Sequence, residues 1–351
     1  MVDHRRRGGY RLVYYYPVGE EPFNHFDEPG VQKLLAADEL IATSRFGVDV
    51  LGSVPQLRGR RVGRIPLGVD STTFRPFGPR TRGALRTMIG PTMTKPRRFV
   101  LGWVGHDQFR KQVWVLYELL YYLRSGSWIR CRRCHRITPM EYDCRRRRLR
   151  SPSQLKTYER GYDYSSCWYC GSKRVERGRP LRHVVLWTVM GNNLSVGWDL
   201  RMLAHTYRVE DAVFDTSATR GEEGHPAEGM NALYNCFDAL VFPSGAEGFG
   251  LPVLEAMAAG VPVVYTDYSA HAELAVGLPV HVRFMPDRPH PGLLGLADMG
   301  DLLVNAVRLA EDAGLRRRLA REGRRKARRL DWDRSTSDWL EVLRRVTAAS
   351  P

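Results

Sequence analysis

Glu247 and Glu255 stand eight residues apart in the stretch DALVFPSGAEGFGLPVLEAMAAGVPVVYTD, residues 238–267. The apolar run ALVFP reads as a buried strand leading into a glycine-containing loop, Ser244 to Gly250. Pro252 suits the first turn of a following helix, because its missing N–H would have no partner there. Gly260 suits the position just past the helix end, and VPVVYT reads as the next buried strand. A glycine loop between a strand and a helix start presents free amides and the positive end of the helix dipole, which is a phosphate site. Gly248 and Gly250 let a diphosphate approach the backbone. Glu255, one turn into the helix, would face back toward the loop and accept hydrogen bonds from the paired hydroxyls of a sugar ring. Two glutamates at this spacing are common by chance. Taken alone they read equally as a dipole-favoured helix glutamate and a solvated loop acid.

A second group of reactive side chains is Cys131, Cys134, Cys167 and Cys170, written CRRC and CWYC with 32 residues between them. Two such pairs in a protein read as cytoplasmic point to zinc before disulfides, with four thiolates in a tetrahedral zinc ribbon. Cys144 or His135 could replace one ligand. Such a metal is structural, because its binding free energy orders a polar segment that lacks a core. Cys236, in MNALYNCFDALVF, reads as a buried core thiol.

The elements that position these groups follow from the apolar pattern. The chain has 351 residues, 43% apolar, 10% aromatic and 26% charged, which excludes a disordered or low-complexity protein. Its 54 basic and 38 acidic residues leave a net charge of +16, which predicts an anionic partner. No apolar run is long enough for a membrane span, and Leu12–Tyr16 is too short for a secretory h-region, hence the cytoplasmic expectation. RLVYYYP reads as a buried strand and LIATS and RVGRIPL as strands, with helices over VQKLLAADEL and FGVDVLGSV. A second such unit starts at RFVLGWVG, turns through HDQFRK and enters the helix QVWVLYELLYYLR. It breaks at about residue 125 and resumes at HVVLWTVM. A polar helix is expected over 301–329, and an amphipathic helix over DWDRSTSDWLEVLRRVT. Strands alternating with helices predict an α/β protein with parallel sheets. The interruption, Arg124 to Arg182, holds 17 basic and 5 acidic residues, so most of the excess charge sits there. The run Arg145–Arg148 with Trp168, Tyr169, Tyr158, Tyr162 and Tyr164 offers cations and rings to a nucleic acid. It reads as readily as a solvated basic loop.

EGFGLPVLEAMAAGVPVV resembles the E-x7-E signature of retaining glycosyltransferases of the GT-B fold, family four, also described as glycosyl transferases group 1. ADELIATSRFGVDVL with RIPLGVDSTTFRPF is similar to the end of that family's N-terminal domain and its linker. RFVLGWVGHDQFRKQ is similar to the start of its C-terminal domain, and LDWDRSTSDWLEVL to the last helix, which crosses back. The resemblance implies two Rossmann-like domains: an N-terminal, acceptor-side domain over 1–76 and a donor-binding domain over 77–330. The latter would carry a zinc-ribbon-like insert at 127–180, and residues 331–351 would form the returning helix. It implies a nucleotide-diphosphate-sugar donor, no catalytic metal, and transfer to an acceptor with retention of configuration. Glu255 would then bind ribose hydroxyls, and Glu247 the donor sugar near the reacting carbon. Gly248 and the amides around Phe249, Gly250 and Leu251 would hold the diphosphate, with Lys111 neutralising the leaving phosphates. Where the family has arginine this chain has His106, which the phosphates would protonate or for which Arg110 would compensate.

About 67 residues precede Gly68, where the family has a complete domain with a glycine-rich loop and a histidine. Such an incomplete sheet would expose strand edges. The expectation is a misplaced start, a partner chain that completes the domain, or a minimal acceptor side. The competing reading is a zinc-ribbon nucleic-acid-binding or scaffold protein that keeps a sugar-nucleotide domain. Acceptor, donor base and donor sugar are not legible at this level.

Overall fold

The computed structural model describes residues 11–21, 28–89, 98–140, 164–189, 197–216, 225–286 and 292–348. Cys144, Arg145–Arg148, Tyr158 and Tyr162 lie outside the described residues.

The chain begins with β1 (Val13–Tyr16), α1 (Glu28–Ala36), β2 (Glu39–Ala42), α2 (Arg45–Ser53) and β3 (Val62–Arg64). These strands pair in parallel in the order β1-β2-β3. Only β2 is mostly buried. The sequence reads RLVYYYP as a buried strand, but all four residues of β1 are half-buried, because the three-stranded sheet covers them incompletely. Ser44 caps α2, its hydroxyl accepting from the Gly47 amide at 3.0 Å.

After α3 (Pro79–Ile89), unsignalled in the sequence pattern, comes the larger unit: β4 (Phe99–Val104), α4 (Val113–Ser125), β5 (Trp128–Cys131), β6 (Ile137–Pro139), β7 (Val175–Arg177) and β8 (Val184–Val189). It continues through α5 (Leu200–Tyr207), β9 (Val213–Asp215), α6 (Ala227–Asn235), β10 (Ala239–Phe242), α7 (Leu251–Ala258), β11 (Val263–Thr266), α8 (Ala270–Leu274) and β12 (Gly277–Val280). Six of these strands form a parallel sheet in the order β12-β11-β10-β4-β8-β9. Every residue of β4, β8, β10 and β11 is buried, as expected for strands covered by helices on both faces. The order reverses direction between β4 and β10. The loops leaving their carboxyl ends therefore diverge and open a crevice, the position where such sheets take ligands.

An antiparallel hairpin, β13 (Val282–Pro286) and β14 (Leu293–Ala297), precedes α9 (Met299–Glu311), α10 (Ala313–Ala327) and α11 (Trp332–Ala348). The single helix expected over 301–329 is thus two. Asp312 ends α9 with non-helical φ and ψ of −110° and 95°, and its carboxylate caps α10 by accepting from the Leu315 amide at 2.8 Å. None of the described helices is long and apolar enough to cross a membrane.

The last helix packs on the first sheet. Val342 and Val346 of α11 join Ile41 and Ile65 in one buried cluster, with Trp339 edge-on to Tyr15 at 5.0 Å. Burying aliphatic side chains of this size contributes about 1.5–3 kcal/mol each. The two crossings between the sheets touch at Gly68, where a Cβ would lie 2.5 Å from the Asp331 carbonyl carbon and from the Trp332 nitrogen. Only glycine fits that approach.

Candidate functional site

The crevice is walled by the turn after β4 and the loop after β10. The turn leaves β4 through Gly105 and an exposed His106, then buries Asp107, whose carboxylate accepts from the Trp198 amide at 2.5 Å. A single 3-10 turn, Phe109–Lys111, ends at Gln112, a fully buried residue in the left-handed region at φ 50°. The Gln112 amide is what holds this strained turn. It donates to the Gly295 carbonyl at 2.7 Å and accepts from the Ala297 amide at 3.1 Å, pinning the turn to β14. The Gly245 amide donates to the Arg110 carbonyl at 2.7 Å and joins the two walls.

That geometry brings Arg110, Lys111 and Glu247 together. One carboxylate oxygen of Glu247, Oε1, accepts from the Lys111 ammonium, from Arg110 at 3.0 Å and from the Ser244 hydroxyl at 2.8 Å. Glu247 is 8% exposed and Lys111 7%. Burial by itself would raise the Glu247 carboxyl, but the Lys111 and Arg110 charges outweigh it and hold the group below the usual carboxylate range. Burial lowers the Lys111 ammonium, with Glu247 opposing. The Glu247 amide in turn donates to the Ser269 hydroxyl at 3.1 Å, so the loop after β11 also fixes this residue.

Downstream, Gly250 stands at the N-cap of α7 with φ 96° and ψ 53°, a conformation natural to glycine. At the start of α7, Pro252 lacks an N–H and the Val253 amide donates to the Gly250 carbonyl at 3.0 Å, so Leu251 carries the orphan amide of the first turn. The Phe249 ring is 6% exposed and belongs to the core, so only its backbone borders the loop. Leu251 opens α7, half-buried. Gly248 is crowded by Pro17, which a Cβ would meet at 2.7 Å, and its carbonyl accepts from the Thr43 hydroxyl at 2.6 Å. The carboxyl ends of β1 and β2 therefore abut the same loop. Glu255 lies farther along α7, accepting at 2.7 Å from the hydroxyl of Tyr234, a fully buried residue of α6. Burial raises the Glu255 carboxyl against the lowering effect of that bond.

Ser244, Gln112, Ser269 and Thr43 carry no signal in the sequence, since each is recognisable only by what it meets across the fold. His271 is a further case. It is completely buried under Gly250, its Nδ1 3.2 Å from the Thr266 hydroxyl. That hydroxyl donates its one proton to the Ser244 carbonyl, so it accepts from His271 Nδ1–H, while the buried Nε2 has no hydrogen-bond partner among the described residues. Burial lowers the imidazole pKa to about 4, with Glu247 raising it and Lys111 and Arg110 adding to the depression. The unfolded chain therefore binds the proton more readily than the folded one between pH 6.5 and about 4, and stability falls as pH falls through that window. The expected contribution is on the order of 3 kcal/mol. The difference in urea midpoint between the protein and His271→Asn should shrink from about pH 7.5 to about pH 5; a constant difference would overturn the assignment.

The cysteines converge as well. The Sγ atoms of Cys131, Cys134, Cys167 and Cys170 lie within 4.8 Å of one another, with Cys131–Cys170 at 3.7 Å and Cys134–Cys167 at 3.5 Å. Tetrahedral zinc with Zn–S near 2.3 Å needs sulfurs about 3.8 Å apart. The amides of Arg133 and Cys134 turn toward Cys131 Sγ at 3.3 and 3.5 Å. These four residues fit the ion. His135 is exposed and is not one of the four. Cys236 is fully buried.

Residues 200–283 match the family described as Glycosyl transferases group 1. A D-inositol 3-phosphate glycosyltransferase of Salinispora arenicola is 35% identical over 159 residues, 45% of this chain. The match spans about a third of that relative, 32% of its length. Among solved structures, the sucrose-phosphate synthase of Thermosynechococcus elongatus superimposes with a TM-score of 0.65 at 18% identity, covering 99% of this chain and 71% of that one. Anabaena HepE in complex with UDP and glucose superimposes at 0.64 with 17% identity, covering 97% and 74%. The fold is that of GT-B glycosyltransferases, with the cysteine cluster in a small insert.

Proposed function

We propose that this chain, a GT-B protein carrying a glycosyl transferases group 1 segment, moves a sugar from a nucleotide-diphosphate donor to an acceptor with retention of anomeric configuration. The observation that carries this reading is the meeting of Lys111, Arg110, Glu247 and the N-terminus of α7 at the point where the sheet order reverses. Breaking the bond from the anomeric carbon to the phosphate oxygen puts negative charge on the diphosphate and positive character on the sugar. Lys111, Arg110 and the amides at Phe249 to Leu251 meet the first charge, and the Glu247 carboxylate the second. The acceptor hydroxyl supplies the new oxygen bond to that carbon and passes its proton to the departing diphosphate oxygen, and the nucleoside diphosphate leaves. Glu255 takes the ribose hydroxyls, exchanging or sharing its bond with Tyr234. His106, exposed at the head of the turn, leaves Arg110 as the nearer fixed cation for the phosphates. The four thiolates hold a structural zinc. An intact charge cluster favours an enzyme over a scaffold that has only kept the fold.

A panel of uridine, guanosine, adenosine and thymidine diphosphosugars tests the donor site by thermal shift. One of them should stabilise the protein, by about 2.7 kcal/mol at a hundredfold excess over its Kd. Glu255→Ala should reduce that shift. No stabilisation by any of the four would reject the donor assignment.

A further inference from the structure

A CxxC turn that directs both sulfurs at one metal leaves its two middle residues facing outward. In one turn these are Arg132 and Arg133, both exposed; in the other they are Trp168 and Tyr169, 47% and 45% exposed. Sulfur separations of 3.5 and 3.7 Å between the turns place the two guanidinium groups and the two rings on one tip. Trp168 is held flat by stacking on Tyr164 at 5.2 Å and 20°, and the Arg136 guanidinium lies 4.6 Å over the Tyr169 ring. Glu176 is the one acidic residue among the described residues of the insert, and it pairs with Arg132 at 2.9 Å. Arg133, Arg136, Lys173 and Arg174 are exposed, and no ion pair to an acid is recorded for them among the described residues. The aliphatic side chains Ile129, Ile137 and Met140 are 3%, 0% and 4% exposed, so among the described residues the tip presents rings and cations but no aliphatic face.

The tip is also placed. Ile137 and Tyr169 pack on α9, where a Cβ on Gly300 would lie 2.7 Å from the Ile137 carbonyl and 2.9 Å from the Tyr169 hydroxyl. That end of α9 is at the carboxyl edge of the sheet, because Asp301 accepts from the amide of His281, the residue after β12, at 3.1 Å. The donor loop opens on the same edge.

We propose that this tip binds single-stranded nucleic acid, the arginines and Lys173 tracking phosphates and the faces of Trp168 and Tyr169 stacking on bases. Cations beside flat, immobilised rings are the combination that single strands require, since every base has a stacking face. The proposal rests on the metal-held geometry of the insert and is independent of which donor the crevice takes.

Fluorescence anisotropy of a labelled, mixed-sequence DNA strand of about 20 nucleotides, with the full-length zinc-loaded protein, tests it. Affinity should fall steeply with salt. Arg133→Glu with Arg174→Glu should weaken binding at least about tenfold and flatten the salt slope by about 2. Trp168→Ala should weaken it about tenfold with the slope unchanged. Zinc content and the donor-induced thermal shift should stay as in the parent protein, which separates loss of this surface from loss of the transferase site. Absence of binding at about 50 mM salt would overturn the proposal. So would variants that bind like the parent, or binding to phosphatidylserine vesicles without binding to the strand.

Discussion

Glu247→Gln should lower turnover of the sugar nucleotide by about two orders of magnitude or more while leaving donor affinity intact or tighter. The first part follows from charge. A glutamine keeps the size and hydrogen-bonding reach of the side chain but removes the negative charge beside the developing positive sugar. Single electrostatic contacts of that kind are worth about 100- to 1,000-fold. The second part follows from the ion pair seen here. With the carboxylate gone, Lys111 and Arg110 no longer divide their charge between Glu247 and the diphosphate. The free protein should pay the opposite way: a buried ammonium without its partner costs about 3–5 kcal/mol. The variant should therefore melt lower than the parent when empty, and donor should raise its melting temperature by more. Donor hydrolysis gives the rate without an identified acceptor, and thermal shift gives the affinity. A variant that turns over like the parent would remove Glu247 from the reacting centre. Lost donor affinity with unchanged turnover would make it a binding residue alone.

One zinc per chain, whose removal unfolds the insert, is the second large effect expected. Apart from Ile129, Met140, Tyr164 and Val175, the described insert has little core of its own. Four thiolates closing on one ion supply about 10–16 kcal/mol of apparent binding free energy in small zinc modules, more than that cluster can offer. Strong chelators or Cys167→Ser should therefore expose the amides of β5, β6 and β7 to hydrogen exchange. The parallel sheets should stay protected, since of the described insert only Trp128 and Ile137 reach into their core, among many residues from outside it. Metal analysis of the purified protein near zero, with all thiols titrating freely in the native state, would sink the assignment.

Much of this was legible along the chain because the relevant physics is local. The run ALVFP, a glycine loop, Pro252 and Gly260 mark a strand, a phosphate-type turn and a bounded helix. The structure has β10, a left-handed Gly250 and α7 in those places. Two CxxC pairs predict their own convergence, since a metal site is specified by residue type and short spacing. Local signals also had limits. An arginine-rich stretch with continuous helical character concealed the break at Asp312, because a capping aspartate resembles any other surface acid until its side chain meets the Leu315 amide. RLVYYYP was apolar enough for a buried strand, but burial depends on how many strands and helices cover it.

The amino-acid sequence by itself determined which residues carry charge, which glycines open the backbone and which thiols stand at metal-ligand spacing, because those are properties of side chains and of neighbours a few bonds away. Only the tertiary structure decided that Lys111 donates to a carboxylate oxygen of Glu247, 136 residues away. It also decided that Gln112 pins their turn to β14, that His271 is neutral beneath Gly250, and that Pro17 and Thr43 close on Gly248. Those outcomes follow from the order of strands in the sheet, which sets which loops leave the same edge. No spacing in the chain encodes that order, because it is selected by the burial of whole strand and helix faces at once.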